Sequence, residues 1–464
     1  MTVKDRFSEK LALLGTFPQF RDNEDWVEEM SVWFRMVRPQ TFKHINFEPT
    51  RSDNVFNYPA FTMNRILTAL NEQDFLFLPE QYDGNIVEQL KSVYSDELRQ
   101  LSAELIPELE RRCLGFLMNE LESFGAGWDS RTLFDYFDSA IQDNDELPAS
   151  LALVREWPDR KELAETLVIQ HALDFLPESS HMIRHAKGDY GTLQSALFRI
   201  VIDEFGYGNH ATKHSSLFKA TLASIGLKTH SHAYWSFYLN STLLMNNYFH
   251  YISRRPECFF QYLGAISYAE NTFGPYCRQM AGLLREVYGE RADVRYYQEH
   301  VHIDKHHGRM GVNELLKPAI AQFGDGVVAE MAKGVEMTRR LQQIAEQDLS
   351  SQLTWMAQQQ NHRDLAHEIK PSVFGDIENL PVMLLDEPYH ELSVPHVHDG
   401  DEFCVVDQGV LRFCHGFNCY SDLRPGECVV IRKNRLHGAL VLSENCNYRI
   451  LSIGDYARYA DHHI

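Results

Sequence analysis

The stretch Glu299-His300-Val301-His302-Ile303-Asp304-Lys305-His306-His307-Gly308-Arg309-Met310 decides how the chain is read. At roughly 100° per residue on a helix, His300, Asp304 and His307 share one narrow stripe, while His302 and His306 turn to the other side. Two imidazoles and a carboxylate on one stripe form half of a coordination shell for a hard or borderline metal such as iron. The plainer reading is a polar helix whose histidines happen to cluster. The stripe argues for a metal only if other segments bring partners to it.

Those partners must come from a long chain. Its 464 residues exceed what one core holds and suit two or three domains. With 44% hydrophobic and 12% aromatic residues, it can bury large interiors. A formal net charge of −21 argues against binding nucleic acid or an anionic membrane. The opening MTVKDRFSEK has no apolar core of signal-peptide length, and no apolar run is long enough to span a bilayer. A cytoplasmic protein that stays off the membrane is therefore expected. The eight cysteines form no C-x-x-C pair and read as reduced thiols, and in that compartment the Asn240-Ser241-Thr242 sequon has no meaning.

Three regions differ in pattern. Residues 1–130 read as a helical scaffold or subunit-contact domain. Asp25 to Val37 and Ile86 to Gly115 carry apolar residues at three- and four-residue spacing, punctuated by Pro59, Pro79 and Asp83-Gly84. Gly125-Ala126-Gly127 marks the end of this region. Residues 131–345 stay helical, but potential ligands (Glu178, Glu204, His214, His250, Glu270) now sit inside apolar, aromatic-rich segments. Tyr234 to Ser253 is apolar nearly all round, as a buried helix is. Burying a carboxylate is costly unless it is compensated, and a metal compensates it. Residues 346–464 read as a small all-β barrel, with short strand-like runs from about Leu349 onward, such as Phe403-Cys404-Val405-Val406 and Cys428-Val429-Val430-Ile431.

Two segments can complete the opening stripe. On an unbroken helix Glu204 and His214 stand about 15 Å apart, but Gly206-Tyr207-Gly208 between them licenses a break that would bring them together. Glu270 sits in Ser267-Tyr268-Ala269-Glu270 on a buried helix. Carboxylates and histidines converging from several antiparallel helices are how dinuclear iron sites are built, although the ferritin-like Glu-x-x-His pair is absent. A second constellation lies near the C-terminus. His396-Val397-His398 followed by Glu402 and Gly409 reads H-x-H-x(3)-E-x(6)-G, the first cupin motif, in which strand alternation turns both histidines inward. His437 supplies the third imidazole, although Arg432-Lys433-Asn434 replaces the usual Pro-x-Gly before it. No G-x-G-x-x-G follows a strand and no Walker loop occurs, so electrons must come from a separate donor.

The string Val201 to Ser215 (V-I-D-E-F-G-Y-G-N-H-A-T-K-H-S), the aromatic Asn246 to Tyr251 and the Glu299 to Met310 run together resemble heme-oxygenase-like diiron oxygenases fused to a cupin. More closely, they resemble the N-nitrosourea-forming metalloenzymes of natural-product biosynthesis, a resemblance that covers nearly the whole chain. The resemblance implies a helical N-terminal domain, a diiron helical bundle and a C-terminal cupin. It implies two irons on residues matching Glu204, His214, Glu270, His300, Asp304 and His307, with Glu178 joining when both ions are bound. It also implies a third iron on His396, His398 and His437, with Glu402 beside that ion rather than on it. The chemistry implied is O2-dependent N-hydroxylation of the guanidine of an arginine derivative of the N-methyl-L-arginine type. Oxidative rearrangement to an N-nitroso compound at the cupin iron then follows, in a homodimer served by a separate reductant. Three alternatives stay open: an N-oxygenase of another amino acid leading, for example, to a diazeniumdiolate; a diiron N-hydroxylase with a structural cupin; and a non-catalytic protein with structural metals.

Overall fold

The computed structural model describes residues 3–20, 32–33, 35, 37, 42, 45–121, 127–140, 147–178 and 180–460. The helix expected over Asp25 to Val37 lies largely outside them, as do Gly125 and Ala126 of the expected boundary. The first region contains α1 (Val3–Leu14), α2 (Tyr58–Asn71), α3 (Ile86–Val93) and α4 (Asp96–Leu121), so Ile86 to Gly115 is two helices and not one. The Asn57 side chain caps α2 by accepting from the Ala60 N–H, and Pro59 occupies its first turn. Then come α5 (Ser130–Ala140), α6 (Ala149–Glu156), α7 (Arg160–Phe175), α8 (Thr192–Glu204) and α9 (His214–Ser224). The bundle continues with α10 (Asn240–Arg254), α11 (Phe259–Tyr288), α12 (Arg295–Met310), α13 (Lys317–Phe323), α14 (Val328–Ala357) and α15 (Gln359–Gly375). No described helix is long and apolar enough to cross a membrane.

Two local features set up the interior. Helix α8 stops at Glu204, and Gly206 takes φ +59°, where an added Cβ would lie 2.5 Å from the Lys213 nitrogen. Only glycine closes that turn, after which the chain re-enters a helix at His214. Helices α11 and α12 approach closely because Gly308 and Gly311 lack side chains; Cβ atoms there would stand 2.6 Å from Asn271 Oδ1 and 2.9 Å from Ser267 Oγ. Ser267 and Asn271 flank Glu270, so this approach aims Glu270 at α12. Past Met310 the helix widens into a π turn, Gly311–Leu316, before α13.

Two expectations need correction. The continuous helix expected over Tyr234 to Ser253 begins only at Asn240; before it the chain makes a short 3-10 turn, Trp235–Phe237, and the Leu239 N–H turns to Gln170 Oε1 at 2.8 Å. The β character expected from about Leu349 begins at Val382. Between them α14 runs on and α15 follows, because Gln352, Leu353 and Met356 keep helical spacing on a buried face.

The strands are β1 (Val382–Pro388), β2 (Leu392–His396), β3 (Asp401–Gln408), β4 (Leu411–Gly416), β5 (Cys419–Leu423), β6 (Cys428–Ile431), β7 (His437–Val441) and β8 (Asn445–Gly454). They form two antiparallel sheets ordered β1-β8-β3-β6 and β2-β7-β4-β5, a cupin-like β domain, and a short helix α16 (Ala457–Ala460) closes the chain. Helix α15 covers the outer face of the first sheet with Ala366, Ile369 and Val373. The inner faces of the strands join one apolar core with the helices, including Leu353 and Met356 of α14.

Candidate metal centres

In the bundle, Glu204 is the meeting point. Its Oε2 lies 2.6 Å from His214 Nδ1 and 3.8 Å from His300 Nε2, while its Oε1 lies 3.4 Å from His307 Nδ1. His307 Nδ1 is in turn 3.2 Å from Glu270 Oε2. Two donor groups result, Glu204–His214–His300 and Glu204–Glu270–His307, each tight enough to hold one ion, and one carboxylate belongs to both. The turn at Gly206 therefore does what the sequence asked of it: the end of α8 and the start of α9 face the same point.

The imidazoles are oriented by their other nitrogens. His300 Nδ1–H donates to the Tyr296 carbonyl at 2.9 Å, leaving Nε2 as its ligand atom. His307 Nε2–H donates to Asp203 Oδ2 at 3.0 Å, which leaves Nδ1 toward Glu204 and Glu270. Such outer carboxylates and carbonyls fix the tautomer and raise ligand basicity. Asp203 is a candidate positioning residue that the sequence reading missed. It adjoins Glu204 and so appeared to point off the ligand face; the signal available was that a ligand histidine needs an acceptor for its second nitrogen.

Asp304 and Glu178 surround these groups without joining either trio at ligand spacing. Both Asp304 oxygens are buried without a hydrogen-bond partner among the described residues, as are Glu204 Oε2 and His214 Nδ1 despite their short separation. Glu178 Oε2 accepts from the Tyr296 hydroxyl at 3.1 Å. Burial first, then Glu270 and Glu204, push the Asp304 carboxyl well above the usual carboxylate range. Burial, Glu204 and Asp174 do the same to Glu178. Burial opposes a charge on His307, yet Glu270 and Glu204 beside it raise it to about 10. The pocket therefore carries acid groups in excess of its own cations, with unpartnered oxygens turned inward. That donor set, mixed carboxylate and imidazole, fits iron. His250, also a candidate by sequence, is not part of it: its Nδ1 faces Arg184 Nη1 at 3.0 Å. His302 and His306 are exposed, as their side of the stripe requires.

The barrel centre is built differently. His396 and His437 pair across β2 and β7, with rings 4.7 Å apart. His396 Nε2 stands 2.9 Å from His398 Nε2, and the three histidines form a group of ligand spacing. His396 Nδ1–H donates to Val394 O at 2.7 Å and His437 Nδ1–H to Arg435 O at 2.9 Å, so both present Nε2. Burial pulls His437 down to about 3 and His398 to about 4, so these two imidazoles are neutral and ready to ligate. Glu402 Oε2 lies 3.3 Å from His398 Nε2, next to the trio but outside it, and burial raises its carboxyl to about 7. Where the motif departs from Pro-x-Gly, Asn434 takes the left-handed φ of +60° and its N–H donates to His398 O at 2.8 Å.

The helical region reaches into this centre. Gln352 of α14 donates from Nε2 to Leu436 O at 3.0 Å and to His415 O at 2.9 Å, and its Oε1 accepts from Leu436 N at 2.8 Å. Arg435 Nη1 donates to Asp348 O at 3.2 Å. Arg65 of α2 reaches Pro395 O at 3.2 Å, beside His396. Nothing in the local sequence of the motif announces these three tethers.

Residues 166–341 match the family model described as an iron-containing redox enzyme. The chain is also similar to a nitrosourea synthase of Streptomyces achromogenes subsp. streptozoticus, with 41% identity over 448 residues, covering 96% of this chain and 94% of that protein.

Proposed function

We propose, from the premise that the chain belongs to the nitrosourea synthase family and is an iron-dependent oxidoreductase, that it oxidises a guanidine nitrogen and then makes an N-nitroso group. The substrate is an arginine derivative of the N-methyl-L-arginine type. N-hydroxylation occurs in the bundle and rearrangement in the barrel, and a separate donor supplies the electrons.

One observation carries the reading: Glu204 turns one oxygen to His214 and His300 and the other toward His307. A carboxylate shared in this way would hold two ions and not one. The proposed ligands are Glu204, His214, Glu270, His300, Asp304, His307 and, when both ions are bound, Glu178; those of the barrel are His396, His398 and His437. Iron bound there supplies O2 activation in the bundle and redox chemistry in the barrel. The chain's own residues do the rest. Asp203 and the Tyr296 carbonyl hold two imidazoles in the ligating tautomer, and the Arg435 carbonyl does so for His437. Burial of the acids keeps water from competing for the ions, and acidic walls suit a planar guanidinium with paired N–H donors.

The test is iron content per chain with and without added Fe(II), followed by one O2 turnover with arginine and with N-methylarginine and mass analysis of products. His214→Ala is expected to make no oxidised product, and His437→Ala to accumulate the hydroxyguanidine. An N-nitroso product from the His437→Ala protein would remove the barrel from the chemistry. Oxidation of neither guanidine would remove the substrate class.

A further inference from the structure

The bundle centre is ringed by aromatic side chains, and the ring leads outward. Tyr296 packs on His300 at 4.4 Å between centroids and on Tyr297 at 5.3 Å. The Tyr297 hydroxyl is 3.0 Å from His171 Nδ1, and His171 Nε2 is 2.9 Å from the Tyr276 hydroxyl. Tyr276 stacks on Phe273 at 6.1 Å, and Phe273 returns to His300 at 5.1 Å. The circuit begins and ends on a proposed iron ligand. Tyr296 and Tyr297 are fully buried, whereas His171, Phe273 and Tyr276 are partly buried.

Filling space does not require this chemistry, since Phe175, Phe218 and Phe273 fill the same wall without polar atoms. The phenols and the imidazole are linked hydroxyl to nitrogen to hydroxyl. A neutral imidazole between two hydroxyls accepts from one and donates to the other. Burial pulls His171 down to about 3, so its ring is neutral at rest and a proton taken from a neighbouring phenol is held there only transiently. Burial likewise keeps the Tyr297 and Tyr276 phenols protonated. A buried phenol loses an electron readily only if its proton has somewhere to go, because the alternative is an uncompensated buried cation.

We infer that Tyr297, His171 and Tyr276 form a redox relay between the bundle centre and the surface. The step is a coupled one. One electron passes from the Tyr297 phenol to the oxidised iron centre as the hydroxyl proton moves along the existing hydrogen bond to His171 Nδ1. Neutral tyrosine becomes a tyrosyl radical, iron is reduced by one electron, and His171 becomes imidazolium. An external one-electron donor acting at the Tyr276 end restores the phenol, and the proton returns from His171. The relay rests on the proposed iron centre in the bundle. Its role is to deliver reducing equivalents and to quench oxidant formed when no amino-acid substrate is bound.

Two experiments test it on the full chain. The first mixes iron-loaded protein with O2 in the absence of substrate and records electron paramagnetic resonance. A tyrosyl signal that changes shape with ring-deuterated tyrosine is expected in wild type and is expected to be lost in Tyr297→Phe and His171→Phe, with bundle iron content unchanged. The second generates radicals in iron-free protein with a flash-driven one-electron photo-oxidant in solution. There Tyr276→Phe is expected to lose the signal at Tyr297, because the entry point is gone. No tyrosyl signal in iron-loaded wild type, or equal signals in wild type and the two first variants, overturns the relay. A bundle that takes up no iron overturns the iron reading instead, and the photo-oxidation arm then decides the relay by itself, its failure being equal signals in wild type and Tyr276→Phe.

Discussion

The proposed bundle and barrel centres would solve the same problem, holding iron in protein, with contrasting electrostatics. The bundle gathers acids and imidazoles from the turn after α7 and from α8, α9, α11 and α12, and its Glu178 and Asp304 carboxyls are pushed up by burial and by neighbouring acids. The barrel gathers three imidazoles from a span of β2 to β7, and burial pulls His398 and His437 down. A site short of positive charge needs its cation to be stable; uncharged imidazoles do not. The lesson is that the bundle centre, as proposed, would be maintained by what binds in it, and the barrel centre by the hydrogen bonds behind it.

The sharpest way to break this contrast is to remove the shared carboxylate. Glu204→Gln is expected to abolish iron binding throughout the bundle, because both donor groups lose a member, while barrel iron stays. Metal analysis of that protein beside His437→Ala, which is expected to show the reverse, reads it directly. Loss of only part of the bundle iron would mean that Glu204 serves one ion. Next in size, Asp203→Asn weakens bundle iron by about 10–100-fold, the usual effect of losing an outer carboxylate, and leaves the barrel as it was. Metal titration against a competing chelator measures it.

The barrel has its own counterpart. Gln352→Ala removes three buried hydrogen bonds around Leu436 and His415. It is expected to cost about 1–3 kcal/mol of stability and to perturb the spectrum of a Cu(II) or Co(II) probe in the barrel, with bundle iron unaffected. An unchanged probe spectrum would show that α14 supports the barrel without shaping its centre.

Acid and base should also separate the two centres once metal is stripped. Asp304, raised in the folded state, contributes stability that is full below the ordinary carboxylate pKa of about 4 and is lost as pH rises through its folded value. His437, lowered to about 3, contributes stability that is full above about 6.5 and is lost as pH falls from there toward about 3. Thermal melts of metal-free protein are therefore expected to depend less on pH above the carboxylate range in Asp304→Asn, and less on pH in the acid range in His437→Gln. Identical profiles for the two variants would contradict the contrast. The smallest effect belongs to Glu402→Gln, which sits outside the trio and is expected to leave barrel iron content unchanged.

The two centres were also unequally legible. A strand alternates its side chains, so H-x-H on β2 is readable letter by letter, and even the departure at Asn434 keeps the turn because asparagine tolerates the left-handed backbone. The stripe His300–Asp304–His307 was equally plain from helical periodicity. What periodicity does not contain is the direction in which a broken helix resumes. Gly206-Tyr207-Gly208 permitted a reversal, but its outcome depends on the packing of α9 against α12. Asp203 was missed for a related reason: its role is defined by His307, more than 100 residues away and on another helix. The early onset expected for the β region failed because Leu349, Leu353 and Met356 continue a helical stripe whose partner surface is the inside of the barrel.

That last helix has a practical consequence for recombination. Because Gln352 of α14 holds the peptide groups on either side of Leu436, the C-terminal strands are not an interchangeable cassette. A chimera joined ahead of residue 352 carries its own strut into a foreign bundle, and one joined after Ala357 borrows a stranger's. Exchanges between relatives should keep the stretch from Asp348 through Leu436 from a single parent.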